Sequence, residues 1–187
     1  MGDGNIIEII SREWLEAQML TEFALDSQCE GDSDGSMLTR SALVLLYAML
    51  DAQLSVIAQA YLHSDNFPFE HAEALFLTGL AVGVDTEGDI TAAEGHQQFK
   101  QRIIGVPRIL ARRVLGHDLT IQLGDQAGEA LLRYKDLRDA VMHPRVGEDP
   151  PRVAKGELRE AELAVRAYFA QLAKSAPDLF GAYTVFL

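Results

Sequence analysis

Apolar residues recur at three- and four-residue intervals along most of the chain, the period of helices that bury one side. Ser11 is placed to cap a first helix over 12–29, with Trp14, Met19, Leu20 and Phe23 at apolar positions. The acidic turn Glu30-Gly31-Asp32-Ser33-Asp34-Gly35-Ser36 closes it. A second helix over 40–63 aligns Leu43, Leu46, Leu50, Leu54, Ile57 and Tyr61 on one stripe. Its other faces are apolar too, which puts it at the centre of the fold. Asn66-Phe67-Pro68 breaks that helix, and a short one over 70–82 ends near Gly79 and Gly83. Residues 84–95 read as an acidic loop. The next helix, 94–115, is interrupted or kinked at Gly105-Val106-Pro107. A connector over 119–124 has room for a brief extended stretch. A helix over 125–142 stops before Pro144, because the residue preceding proline is pushed out of the α region. After a loop at 147–151, a last helix over 156–174 aligns Leu158, Ala161, Val165, Tyr168 or Phe169, and Leu172.

This pattern predicts an all-α fold, a bundle of about five to six helices. A chain of 187 residues suits one domain. Its expected parts are an N-terminal helix and acidic turn (1–36), a helical core (38–175) and a C-terminal tail (176–187).

Charge changes the picture by its distribution. Against 28 acidic side chains stand 16 basic ones, a net charge of −12 that disfavours a general nucleic-acid binder. Residues 1–99 hold 2 basic and 17 acidic side chains, and 11 of the 16 basic residues fall within 100–155. A local cationic face in the second half is compatible with the acidic total. The longest apolar run, 42–50, is followed by Asp51, Gln53 and Gln59, so it reads as a buried helix with no membrane partner. The acidic N-terminus lacks a signal-peptide pattern, and Ile6 spoils a myristoylation motif. A cytoplasmic location is expected. Cys29 is the one cysteine, no Cys/His zinc spacing occurs, and no metal or cofactor is expected.

Common phosphate-loop, dinucleotide, zinc-protease and nucleophile-elbow signatures are absent. The informative stretch is 131–146, LLRYKDLRDAVMHPRV. On an ideal helix Arg138 and His143 stand about 140° apart and share no face. Arg138 borders a core stripe of Ala130, Tyr134, Leu137 and Val141, while Lys135, Asp139 and His143 form an i, i+4, i+8 row opposite. Asp139 is thus placed to hydrogen-bond the imidazole, and His143 closes the helix where the dipole attracts positive charge. With Arg138, Lys135 and Arg145 close by, this is the composition of a phosphodiester site. A helix-end His before a Pro is also a common cap, and Arg138 can equally serve a structural ion pair. Spacing alone does not decide, since Arg112 and His117 repeat it.

The segment LRDAVMHP resembles the signature of HEPN domains, an all-helical superfamily: Arg, a polar Asn, Asp or His, an apolar-rich turn, then His. Arg138, Asp139 and His143 match position for position. RRVLGH departs from it, with Arg113 in the polar slot. The helix ALVLLYAMLDAQLSVIAQAYL is similar to the family's long first core helix, Asp51 standing where an acidic residue often interrupts the apolar run. The likeness spans about 38–175 and leaves the first helix outside it.

The resemblance implies a homodimer with two motifs facing across a cleft, and a metal-independent endoribonuclease. Such enzymes act as toxins, in phage defence and in RNA processing, with an antitoxin or nucleotidyltransferase as partner. His143 would then transfer protons, Arg138 bind the phosphate and Asp139 orient His143, with Lys135 and Arg145 on the RNA. Asp51 lies about 80° from Leu43 on its helix, which predicts partial burial and pairing with a basic side chain, Arg138 first among them. Two other readings stay open: a non-catalytic helical module that dimerises or binds a partner, and a regulator holding a nucleotide or small ligand between helices.

Overall fold

The computed structural model describes residues 3–26, 34–64, 66–84, 90–96 and 98–181. The chain is an all-α helical protein that carries, among the described residues, one short hairpin: α1 (Asp3–Asp26), α2 (Asp34–Leu62), α3 (His71–Leu77), β1 (Leu80–Val84), β2 (Ile90–His96), α4 (Phe99–Leu110), α5 (Gln126–Met142), α6 (Lys155–Ser175) and α7 (Pro177–Phe180). Two compact units are formed. Met1–Asp51 and Gln122–Gln171 belong to the first, Ala52–Ile121 and Leu172–Ala182 to the second.

In the first unit, α1 buries Trp14, Ala17, Thr21 and Ala24, an i, i+3, i+7, i+10 face. Trp14 meets the fully buried Phe169 of α6 edge to face, with ring centroids 5.9 Å apart. The Arg166 guanidinium lies 5.6 Å from the Trp14 ring centre. From α2, Leu43, Leu46 and Leu50 enter the core, as their spacing predicts, and Tyr47 joins them. Polar side chains then tie the helices to the loops. Thr39 Oγ1 donates to the Val153 carbonyl (2.7 Å), Arg40 to that of Pro150 (3.3 Å), and Lys155 Nζ to that of Leu25 (2.9 Å).

The start of α5 depends on close backbone approach. Asp125 caps it, its carboxylate accepting from the Gly128 N–H at 2.7 Å. A Cβ at Gly128 would lie 2.4 Å from Leu123 Cα, so only glycine lets the connector fold back on this turn. Gly128→Ala is therefore expected to lower stability by about 1–3 kcal/mol in urea unfolding, whereas glycine to alanine in an exposed helix raises it.

In the second unit, Leu54, Ile57, Ala58, Leu77, Ile103, Val106 and Leu110 are buried. Arg102 is buried with them and donates to Ser55 Oγ at 2.5 Å. On α3, a capping box reciprocally satisfies Glu70 and Glu73, and both carboxylates pair with Arg113.

Several boundaries differ from the sequence expectations. Helix α1 starts at Asp3 rather than after Ser11, which places Ser11 within the helix. The acidic turn falls largely outside the described residues, and its last part, from Asp34, is already α2. Where a loop was expected over 84–95, β1 and β2 pair antiparallel, Val82 with Ala92 and Val84 with Ile90, with a register shift between Leu80 and Ala81. Small residues mask the alternation there, and strand pairing is decided by the partner strand. Helix α4 runs through Pro107 instead of breaking, then relaxes into a π-helical turn at Ala111–Leu115 closed by Gly116 at φ +75°. The expected tail begins with α7, Pro177 at its start and Leu179 and Phe180 buried.

Among the described residues one helix, Met37–Leu62, is long and apolar enough to cross a membrane, and 56% of its most apolar window is buried within the fold. Core helices and membrane spans share that length and composition.

Candidate functional site

The motif helix is held from behind by Tyr47. This fully buried side chain on α2 donates its hydroxyl to the Leu131 carbonyl of α5 at 2.6 Å. Burial raises the Tyr47 phenol far above its ordinary range, and the nearby Arg138 charge opposes that rise. Tyr47 thus serves α5 as a hydrogen-bond donor. Seven residues beyond Leu131, on the same side of α5, comes Arg138.

Arg138 is three-quarters buried, as a position bordering the core should be, and its Nη1 lies 3.2 Å from Asp139 Oδ1. Its Nε is buried and has no hydrogen-bond partner among the described residues. Asp139 also accepts from Lys135 Nζ at 2.7 Å, an i, i+4 pair. That hydrogen bond raises the Lys135 ammonium above its ordinary value. Lys135 lies 3.5 Å from Asp136 as well.

The row stops one residue short of His143. Helix α5 ends at Met142, and His143 is its C-cap, at φ −130° and ψ 64°. Its backbone N–H still donates to the Asp139 carbonyl at 2.8 Å, but the turn takes the side chain off the ideal helical row. The expected Asp139–imidazole hydrogen bond is accordingly not made, and the Asp139 carboxylate serves Lys135 and Arg138 instead. The ring of His143 is exposed, without a hydrogen-bond partner among the described residues. Arg145 follows, exposed beyond Pro144. Asp51 is half-buried one turn past Tyr47 on α2. Of the other histidines, His63, His71 and His117 are exposed, while His96 lies in β2.

A second polar cluster went unseen in the sequence. Tyr134 donates to Glu160 Oε2 of α6 at 2.5 Å, and Arg133 donates to the same oxygen at 2.6 Å while lying 4.5 Å from the Tyr134 ring centre. Of these groups, Arg133 and Glu160 line an open cleft of about 980 Å³ between α5 and α6, together with Ala130, Ala164 and Ala167. Nothing local signals it, because Tyr134 reads as core and Glu160 as a solvated residue until the two helices meet. The Tyr134 hydrogen bond holds the Glu160 carboxyl below its usual value. A carboxylate so depressed stabilises the fold above the ordinary Glu pKa, and the contribution is lost as pH falls through the folded value. The Tm difference between the wild type and Glu160→Gln should therefore be largest near neutrality and shrink below about pH 4.

Among the described residues no three His, Cys, Asp or Glu side chains gather as a metal site would require. No protein family matches this chain, nor does any characterised protein or solved structure.

Proposed function

We propose that this chain cleaves RNA at the end of α5, with His143 moving the protons and Arg138 binding the phosphate. The observation that carries the reading is Arg138 itself. A buried guanidinium donor left unpaired costs about 1–3 kcal/mol, and such orphaned groups gather where function rather than stability sets the side chain. Five residues on in sequence, His143 offers a solvated imidazole at a helix C-terminus, and Lys135 and Arg145 add positive charge on the same short stretch.

In the chemistry this arrangement supports, neutral His143 accepts the proton of a ribose 2′-hydroxyl. The 2′-oxygen attacks phosphorus and the bond to the 5′-oxygen breaks. The leaving oxygen takes a proton back from the imidazolium, so a 2′,3′-cyclic phosphate and a 5′-hydroxyl result. Arg138 neutralises charge on the non-bridging oxygens. Asp139 holds Arg138 in place rather than orienting His143.

The bridge of Lys135 and Arg138 on Asp139 also favours a second reading, in which α5 is a purely structural helix of a partner-binding module. Incubation with total RNA, with and without EDTA, separates the two. The first reading expects chelator-resistant cleavage with cyclic-phosphate ends, lost in Arg138→Ala. Intact RNA at all protein concentrations sinks it and leaves the module.

A further inference from the structure

Helix α1 is apolar on two sides. Its inner face fills the core, yet Leu15, Met19 and Phe23 form an outer i, i+4, i+8 stripe that stays 55%, 60% and 61% exposed. Exposed residues Glu16, Glu22 and Asp26 flank it, and the helix as a whole carries six acidic side chains against one basic. An aligned apolar stripe of this kind on a folded surface marks an interaction site.

The second unit carries its complement. One face of α4 and the Phe76 ring enclose an open, mainly apolar groove of about 470 Å³. Phe76 packs so closely on the helix that a Cβ at Gly105 would come within 2.4 Å of it. Ile104 and Ile109 line the groove, and Lys100, Arg108 and Arg112 rim it. Arg112 has only a loose approach to Glu73, 3.8 Å, and neither Lys100 nor Arg108 has an ion pair among the described residues.

We propose that the outer stripe of α1 from a second copy of this chain docks in the α4 groove, acidic flanks against basic rim. The mode is an amphipathic helix laid in a groove. Charge complementarity selects the occupant. A groove with three cations on an apolar floor suits an acidic amphipathic helix, and this chain displays one with its apolar side uncovered. The contact uses neither Arg138 nor His143 and is independent of the RNA-cleavage reading.

Sedimentation of the full chain from about 1 to 100 μM tests it. Self-association is expected, weakening as salt rises from about 0.05 to 0.5 M. Phe23→Asp and the double variant Arg108→Glu/Arg112→Glu should each weaken it at least about 10-fold, with far-ultraviolet circular dichroism and Tm unchanged because all three side chains are exposed. Adding Glu16→Lys/Glu22→Lys to the groove variant should recover most of the loss, and mixing the two defective chains should restore one contact. A wild type that stays monomeric overturns the proposal. So does association indifferent to either variant, or a groove variant that loses RNA binding while self-association persists.

Discussion

His143→Ala should lower the rate of RNA cleavage by about 10² or more, the usual scale for losing a general acid or base. Stability should scarcely change, since the ring is exposed and makes no hydrogen bond among the described residues. The loss should therefore appear in kcat/KM with the unfolding curve superposed on that of the wild type. Arg138→Ala is expected to differ in kind. It removes a phosphate contact together with a three-quarters-buried side chain and the Asp139 pair, so activity and stability should fall together. His117→Ala should cleave as the wild type does: the residue is exposed, and its ring nitrogen lies 3.3 Å from the neighbouring Asp118 carbonyl. Equal cleavage by the wild type and His143→Ala would mean a contaminating nuclease or another site, and the mechanism would have to be dropped.

Phe169→Ala should cost about 3–5 kcal/mol, the range for deleting a buried aromatic ring. Phe169 is 1% exposed, meets Trp14 edge to face and contacts Tyr168 at 5.4 Å between centroids. Its removal takes a fully buried ring out of the first unit's core and removes the edge-to-face contact with Trp14 of α1. Urea unfolding should show the loss as a lower midpoint. Phe23→Ala, on the opposite side of α1, should change unfolding by no more than about 0.5 kcal/mol at protein concentrations where the chain is monomeric. The contrast separates the face that folds the protein from the face left for a partner. A large loss from Phe23→Ala in the monomer would place that ring in the core and remove the basis for the docking surface.

Most of the helices follow from periodicity, because burial on one side imposes a 3.6-residue repeat that survives without knowledge of any partner. The α2 stripe from Leu43 to Ile57 and the buried positions of α6 are of this kind, while the stop of α5 before Pro144 follows from the restriction that proline places on its predecessor. The candidate motif was legible as well, since Arg138, Asp139 and His143 are neighbours in sequence. Asp139 was read there as the partner of His143, whereas it holds Lys135 and Arg138. What local spacing could not supply is whatever two distant segments decide together. Strands β1 and β2 exist because each completes the other's hydrogen bonds, and alanine and glycine hide their alternation. Tyr47 fastens α5 across 84 residues, and Tyr134 meets Glu160 across 26. The cap geometry of His143 belongs to the same class. An ideal helix carries its side chain onto the Asp139 row, but the chain leaves α5 one residue earlier and the imidazole goes to solvent. The sequence by itself determined the all-α class and most of the α2 core stripe, for these rest on short-range periodicity. Only tertiary structure decided which apolar face of α1 is buried and which carboxylate each cation holds, because packing and solvent access exist only once the helices have met.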